Sequence, residues 1–119
     1  MSLPLYLNPA AVTGIPGTTL LASWLAGGAI SRTGPTGPFT DTTDSAANIV
    51  TALAGMQSAS FPCQYINASG QTATIAAGTG VTLSGKAASV AANTMALLVI
   101  YVDPSGAVDI KVLYRQSIT

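Results

Sequence analysis

The sequence predicts a small all-β protein: an antiparallel β-sandwich or barrel with one short helix and an extended N-terminal arm. Three observations carry that expectation. From Phe61 onward, apolar and polar residues alternate in short runs with turn residues between them. Asp103-Pro104-Ser105-Gly106 separates two such runs and carries proline and glycine where a tight hairpin needs them. Before residue 41, prolines and glycines are dense enough to break any long regular element. The expected division is therefore residues 1–40 as arm and linker, and 41–119 as a β-sandwich domain opened by the helix. A chain of 119 residues suits one domain.

The arm is rich in breakers yet apolar, with Leu5, Tyr6, Leu7, Leu20, Trp24 and Leu25 among its residues. Disordered tails are poor in such side chains. An extended apolar arm has to lie on something, and large apolar and aromatic groups serve as interface anchors. These six residues are therefore the candidate contacts between chains. On this reading, residues 1–20 are dispensable for folding and needed for attachment.

Asp41 to Ala54 is the one expected helix. Thr42 or Thr43 would cap it, Asp44 would favour its positive end, and Gly55 would stop it. Ala46, Ile49, Val50 and Leu53 recur at helical spacing. Phe61 to Asn67 and Gln71 to Ala77 read as the strands of a hairpin around Ala68-Ser69-Gly70. Val81 to Ser84 reads as a further strand, and Lys86 to Ala92 alternates weakly. Met95 to Val102 is continuously apolar, the pattern of a strand covered on both faces. Across the turn at 103–106, Val108, Ile110, Val112 and Tyr114 fall on one face, with Asp109, Lys111 and Leu113 on the other.

Composition narrows function. The chain has no histidine, four basic and four acidic residues, and a net charge of zero. Only 7% of residues are charged, where a solvated monomer carries about 25%. Enzymes need groups that titrate, bind metal or attack. Such groups are scarce here, so no catalytic residue, metal ligand or cofactor site is assigned. No basic cluster suits nucleic acid. No apolar run approaches the ~20 residues of a membrane helix, and the N-terminus lacks a basic signal-peptide region. The expected compartment is cytoplasmic. Cys63 lies in an apolar run and reads as a small core residue.

Several motifs have simpler readings. Gly80 to Ala87 nearly matches a phosphate-binding loop, with Lys86 as counter-charge. Ala87, however, stands where a magnesium-binding hydroxyl belongs, and Val81 to Leu83 are strand residues. The two Gly-Pro-X triplets at 34–39 are too few for collagen and read as linker. Asn67-Ala68-Ser69 is a glycosylation sequon that reads as a turn. Asp103 and Asp109 fall on opposite sides of a turn rather than in a pair.

Two stretches carry a family resemblance: Ser31–Val50, SRTGPTGPFTDTTDSAANIV, and Asn67–Gly85, NASGQTATIAAGTGVTLSG. Both resemble small virion structural proteins of tailed bacteriophages, including decoration, minor capsid and tail-associated proteins. The resemblance implies a β-rich homotrimer without catalytic residues that seats on the capsid lattice, often through an arm. The expected function is that of a trimeric capsid decoration or minor capsid (cement) protein. It would bridge major capsid proteins on the capsid surface of a virion assembled in the host cytoplasm. A tail fibre, spike or tail-tip component is the alternative, and a small carbohydrate-binding domain the next. The expected partners are further copies of the chain and the major capsid protein, with no nucleic acid and no membrane.

Overall fold

The computed structural model describes residues 10–15, 17–53 and 60–118. Strands β1 (Ala10–Thr13) and β2 (Thr19–Leu20) precede helix α1 (Ala22–Ala26). Strands β3 (Ala29–Thr33) and β4 (Phe39–Thr43) precede helix α2 (Ala46–Ala52). There follow β5 (Ser60–Asn67), β6 (Ala73–Ala76), β7 (Val81–Gly85), β8 (Ser89–Val90), β9 (Thr94–Val102) and β10 (Val108–Ser117). Six strands form one sheet in the order β1-β3-β5-β9-β10-β7, and four form a second in the order β2-β4-β6-β8.

The protein is mostly β, as the alternation predicts, but strand directions are mixed rather than antiparallel. β3 runs parallel to both β1 and β5, β4 runs parallel to both β2 and β6, and β7 runs parallel to β10. Among the described strands, β5/β9, β9/β10 and β6/β8 are antiparallel. The cause is the route of the chain. From β1 to β6 it alternates between sheets, and α1 and α2 carry it back from the smaller sheet to the larger. Each return lays the next strand beside the previous one in the same direction, which requires a long crossover rather than a tight turn. Among the described residues two helices are present where one was expected, because two returns are needed.

Residues 10–15 and 17–40 do not form a separate extended arm. They supply β1, β2, α1, β3 and the start of β4, and both sheets include them. The glycines and prolines fall in the connections between short strands. Leu20, Leu25, Ile30 and Phe39 lie in the core with Cys63, Leu98, Ile100 and Ile110. Deleting residues 1–20 would remove β1, β2 and the fully buried Leu20, so the segment from Ala10 onward is not dispensable for folding. Leu5, Tyr6 and Leu7 lie outside the described residues.

Four further expectations change. Asp41, Thr42 and Thr43 belong to β4, and α2 starts only at Ala46, with the Ser45 hydroxyl accepting from the Asn48 amide at 3.2 Å. Strands β5 and β6 exist but lie in different sheets, so the segment between them is an arch and not a hairpin turn. β9 is buried on one face only: Ala96, Leu98, Ile100 and Val102 are inaccessible, while Met95, Leu97, Val99 and Tyr101 remain half-exposed. Finally, an irregularity between Val112 and Tyr114 sets Tyr114 opposite Leu97, away from the core face used by Val108, Ile110 and Val112. A single extra residue in one strand moves every later side chain to the other face.

The hairpin at 103–106 forms as the turn chemistry predicts. The Gly106 amide donates to the Asp103 carbonyl and the Asp103 amide to the Ala107 carbonyl, each at 2.8 Å. Gly106 has φ 91°, the left-handed region that glycine occupies without strain.

Candidate functional site

Among the described residues most buried polar groups gather in two places, Thr43 standing apart with its hydroxyl accepting from the Gly78 amide at 2.8 Å. The first lies between the sheets. Arg32 on β3 and Asp41 on β4 both point inward and are wholly inaccessible. Arg32 Nε donates to Asp41 Oδ2 at 2.7 Å and Nη2 donates to Oδ1 at 3.2 Å, a two-pronged ion pair. Tyr65 on β5 donates its hydroxyl to Asp41 Oδ2 at 2.6 Å, and the Thr18 amide donates to Oδ1 at 3.1 Å. The remaining guanidinium donors reach the Val12 carbonyl at 3.3 Å and the Ile15 carbonyl. The guanidinium also sits 4.8 Å from the centre of the Phe39 ring.

Strand alternation aims these side chains. Ile30 and Arg32 share the inward face of β3, as Phe39, Asp41 and Thr43 share that of β4. Each charge is saturated by protein partners, as a buried charge requires. Burial, followed by the hydrogen bond to Asp41, raises the Tyr65 hydroxyl well above its ordinary value. The cluster joins β1, the β1–β2 connection, β3, β4 and β5. It is a clamp across the two sheets and offers no free group to a substrate.

The second place is Asn67, the last residue of β5, also wholly buried. Its Nδ2 donates to the carbonyls of Gln71, Val90 and Ala91 at 2.7, 2.9 and 3.1 Å. Its Oδ1 accepts from the Ser69 amide at 3.1 Å and the Ser69 hydroxyl at 2.5 Å. One side chain thus holds the β5–β6 arch and ties it to β8. The sequon asparagine is the staple of that arch, and its amide nitrogen is enclosed by protein.

The other carboxylates also hold donors of the fold itself. Asp44 accepts from Asn48 Nδ2 at 2.7 Å, the Ser45 amide at 2.8 Å and the Ala22 amide at 3.0 Å. Helix α1 has no side-chain cap of its own, and Asp44 supplies an acceptor to its first residue from outside. The Asn48 hydrogen bond, aided by those two amides and opposed by slight desolvation, holds the Asp44 carboxyl below its ordinary value. Asp103 accepts from the Ser105 amide at 2.8 Å, which lowers its carboxyl likewise. Asp109 accepts from the Ser84 hydroxyl at 3.0 Å. Asp103 and Asp109 are not brought together on a cleft.

Of the candidate contact residues, Leu20 and Leu25 are 0% and 1% exposed and lie inside the chain's own core, while Trp24 is half-buried against it. Complete burial leaves Leu20 and Leu25 no surface to offer a neighbour.

The false phosphate loop resolves into β7. Gly80 and Gly85 bracket that strand with φ 78° and 84°, so both glycines serve its ends rather than an anion. Lys86 is exposed just beyond. Lys86→Ala is expected to leave stability within about 0.5 kcal/mol of the parent and to show no ATP-binding heat by calorimetry. Lys86-dependent ATP affinity would contradict the strand reading.

Cys63 is wholly inaccessible on the inner face of β5, and desolvation pushes its thiol up to about 12. Alkylation at neutral pH is expected to label the urea-unfolded chain and spare the folded one, since the thiolate is the reactive form. Rapid labelling of the folded protein would place Cys63 elsewhere.

Among the described residues, no group of three or more metal-ligating side chains converges, and no helix is long and apolar enough to cross a membrane. No protein-family model, curated protein or solved structure matches the chain.

Proposed function

We propose that the chain is a non-enzymatic structural subunit of a bacteriophage virion. In this reading it is a trimeric capsid decoration or minor capsid protein that stabilises the shell by bridging major capsid proteins. The observation that carries the non-enzymatic part is how the carboxylates are used. Asp41, Asp44, Asp103 and Asp109 each hold backbone or side-chain donors of the fold itself. The placement in a virion rests on the resemblance of Ser31–Val50 and Asn67–Gly85 to phage virion proteins. The mechanism is linkage: a protein that binds only the assembled lattice stabilises that state by mass action.

Copy number tests the reading. Quantitative mass spectrometry of purified particles is expected to find the chain within an order of magnitude of the major capsid protein. Only a few copies, set by the symmetry of a tail, would move the chain to the tail. Absence from the particle would end the virion reading.

A further inference from the structure

We infer that the outer face of the six-stranded sheet is where the chain meets further copies of itself, with the half-exposed side of β9 at the centre of the contact. The inference rests on the assembly reading above and supplies the surface that reading lacks.

The two sheets treat their outer faces differently. On the four-stranded sheet, Thr40, Thr74 and Ser89 stand side by side, and Thr19 stands beside Thr42. Hydroxyl-bearing β-formers of this kind suit a strand face left to water. The outer face of the six-stranded sheet is instead apolar along its middle. Met95, Leu97, Val99 and Tyr101 form an unbroken ridge on β9, a central strand. Val99 lies between Pro62 and Lys111, and Leu97 between Gln64 and Tyr114. Tyr114 is 44% exposed there, placed by the irregularity in β10. Both helices turn their buried residues into the core shared with the opposite face. Among the described residues, nothing forms a second layer over this one. One chain therefore covers one sheet with threonine and leaves the other apolar along β9, with Pro62, Ile66 and Tyr114 beside it, while Ser31, Thr33, Thr82 and Ser84 line the outer strands of that face.

Charge and area select the occupant. Across the paired strand positions of this face, the charged side chains are Asp109 and Lys111, consecutive outward residues of β10 with opposite signs. Arg115 points the other way and donates to the Ser89 carbonyl at 2.9 Å. A face with one acid and one base can meet its own copy with unlike charges together, whereas a face of single sign would repel it. The chain as a whole has zero net charge and adds no long-range repulsion. Four strands spaced by about 4.8 Å, with β9 rising about 3.4 Å per residue, span roughly 20 by 30 Å, about 600 Å² of sheet face, near but below the roughly 800 Å² per partner of a standard interface. Apolar patches of several hundred Å² mark interaction sites.

The test uses the full chain. By light scattering at micromolar concentration, the parent is expected at a multiple of the 11.8 kDa chain mass. The pair Leu97→Glu and Val99→Lys is expected to reduce it to one chain mass with its circular dichroism retained. A parent of single-chain mass, or a folded variant that keeps the parent's mass, would overturn the inference. Should the charged variant not fold, Val99→Cys decides. Oxidation is expected to join chains of Val99→Cys through that position and to leave Thr40→Cys unjoined, Cys63 being buried in both. Failure of Val99→Cys to join would equally overturn it. Incorporation of the same variants into particles is read separately. A folded single-chain variant that still binds the particle leaves the virion reading standing, and a self-associating protein absent from particles leaves this face standing.

Discussion

Asp41→Ala is expected to cost about 3–5 kcal/mol, because removing one member of a buried ion pair leaves the other charge without compensation. Arg32 would keep its contacts to the Val12 and Ile15 carbonyls, but neither carries a full negative charge. The Tyr65 hydroxyl and the Thr18 amide would lose their acceptor in the same step. A domain of this size has about 5–15 kcal/mol in total, so the variant sits near the edge of folding. Urea denaturation followed by circular dichroism measures the loss. Arg32→Met combined with Asp41→Leu is expected to be markedly more stable than Asp41→Ala alone, since it removes both charges and refills the space with apolar atoms. A single variant within 1 kcal/mol of the parent would show that the pair is not the clamp between the sheets.

Asn67→Ala is expected to cost roughly 3 kcal/mol, since each buried polar group left without a partner costs about 1–3 kcal/mol. The carbonyls of Val90 and Ala91 lose their shared donor and the Ser69 amide loses its acceptor, while the Ser69 hydroxyl keeps the Gln71 carbonyl at 3.2 Å. Asn67→Asp is the sharper test. The shape is unchanged, but an oxygen replaces the amide nitrogen and faces three carbonyl oxygens. Its loss is expected to exceed that of the alanine variant at neutral pH and to shrink in acid, where the new carboxyl protonates and can donate once. A charged variant as stable as the parent would refute the hydrogen-bonded staple.

How the chain carries these two residues shows what a sequence displays. Asp41 stands alone among threonines and looks like a helix-start aspartate, because a cap and an inward strand position share that composition. The usable signal was the alternation of Phe39, Asp41 and Thr43, with Arg32 on an alternating run nine positions earlier. It reads as a pair only once β3 and β4 are placed in facing sheets. Asn67 sits in a sequon beside turn residues, and its buried role depends on Val90 and Ala91, far along the chain. Short helix α1 was hidden for a similar reason. Its five residues are too few for periodicity, and Asp44 supports its first turn from another element.

The local chemistry of this chain was decided by its sequence. Short strand-like runs between turn residues mark β5, β6, β7 and β10, a continuous apolar run marks β9, and the 103–106 turn joins β9 to β10 because proline and glycine restrict the backbone there whatever surrounds it. The scarcity of charge is likewise a property of composition alone. Tertiary structure decided which strands are neighbours, that most of the described neighbours run parallel, and that residues 10–15 and 17–40 belong to the two-sheet fold rather than to a separate arm. It also decided that β9 keeps one face uncovered. The physical reason is that a strand's residues specify its two faces, whereas its partners, direction and cover depend on contacts between residues distant in sequence.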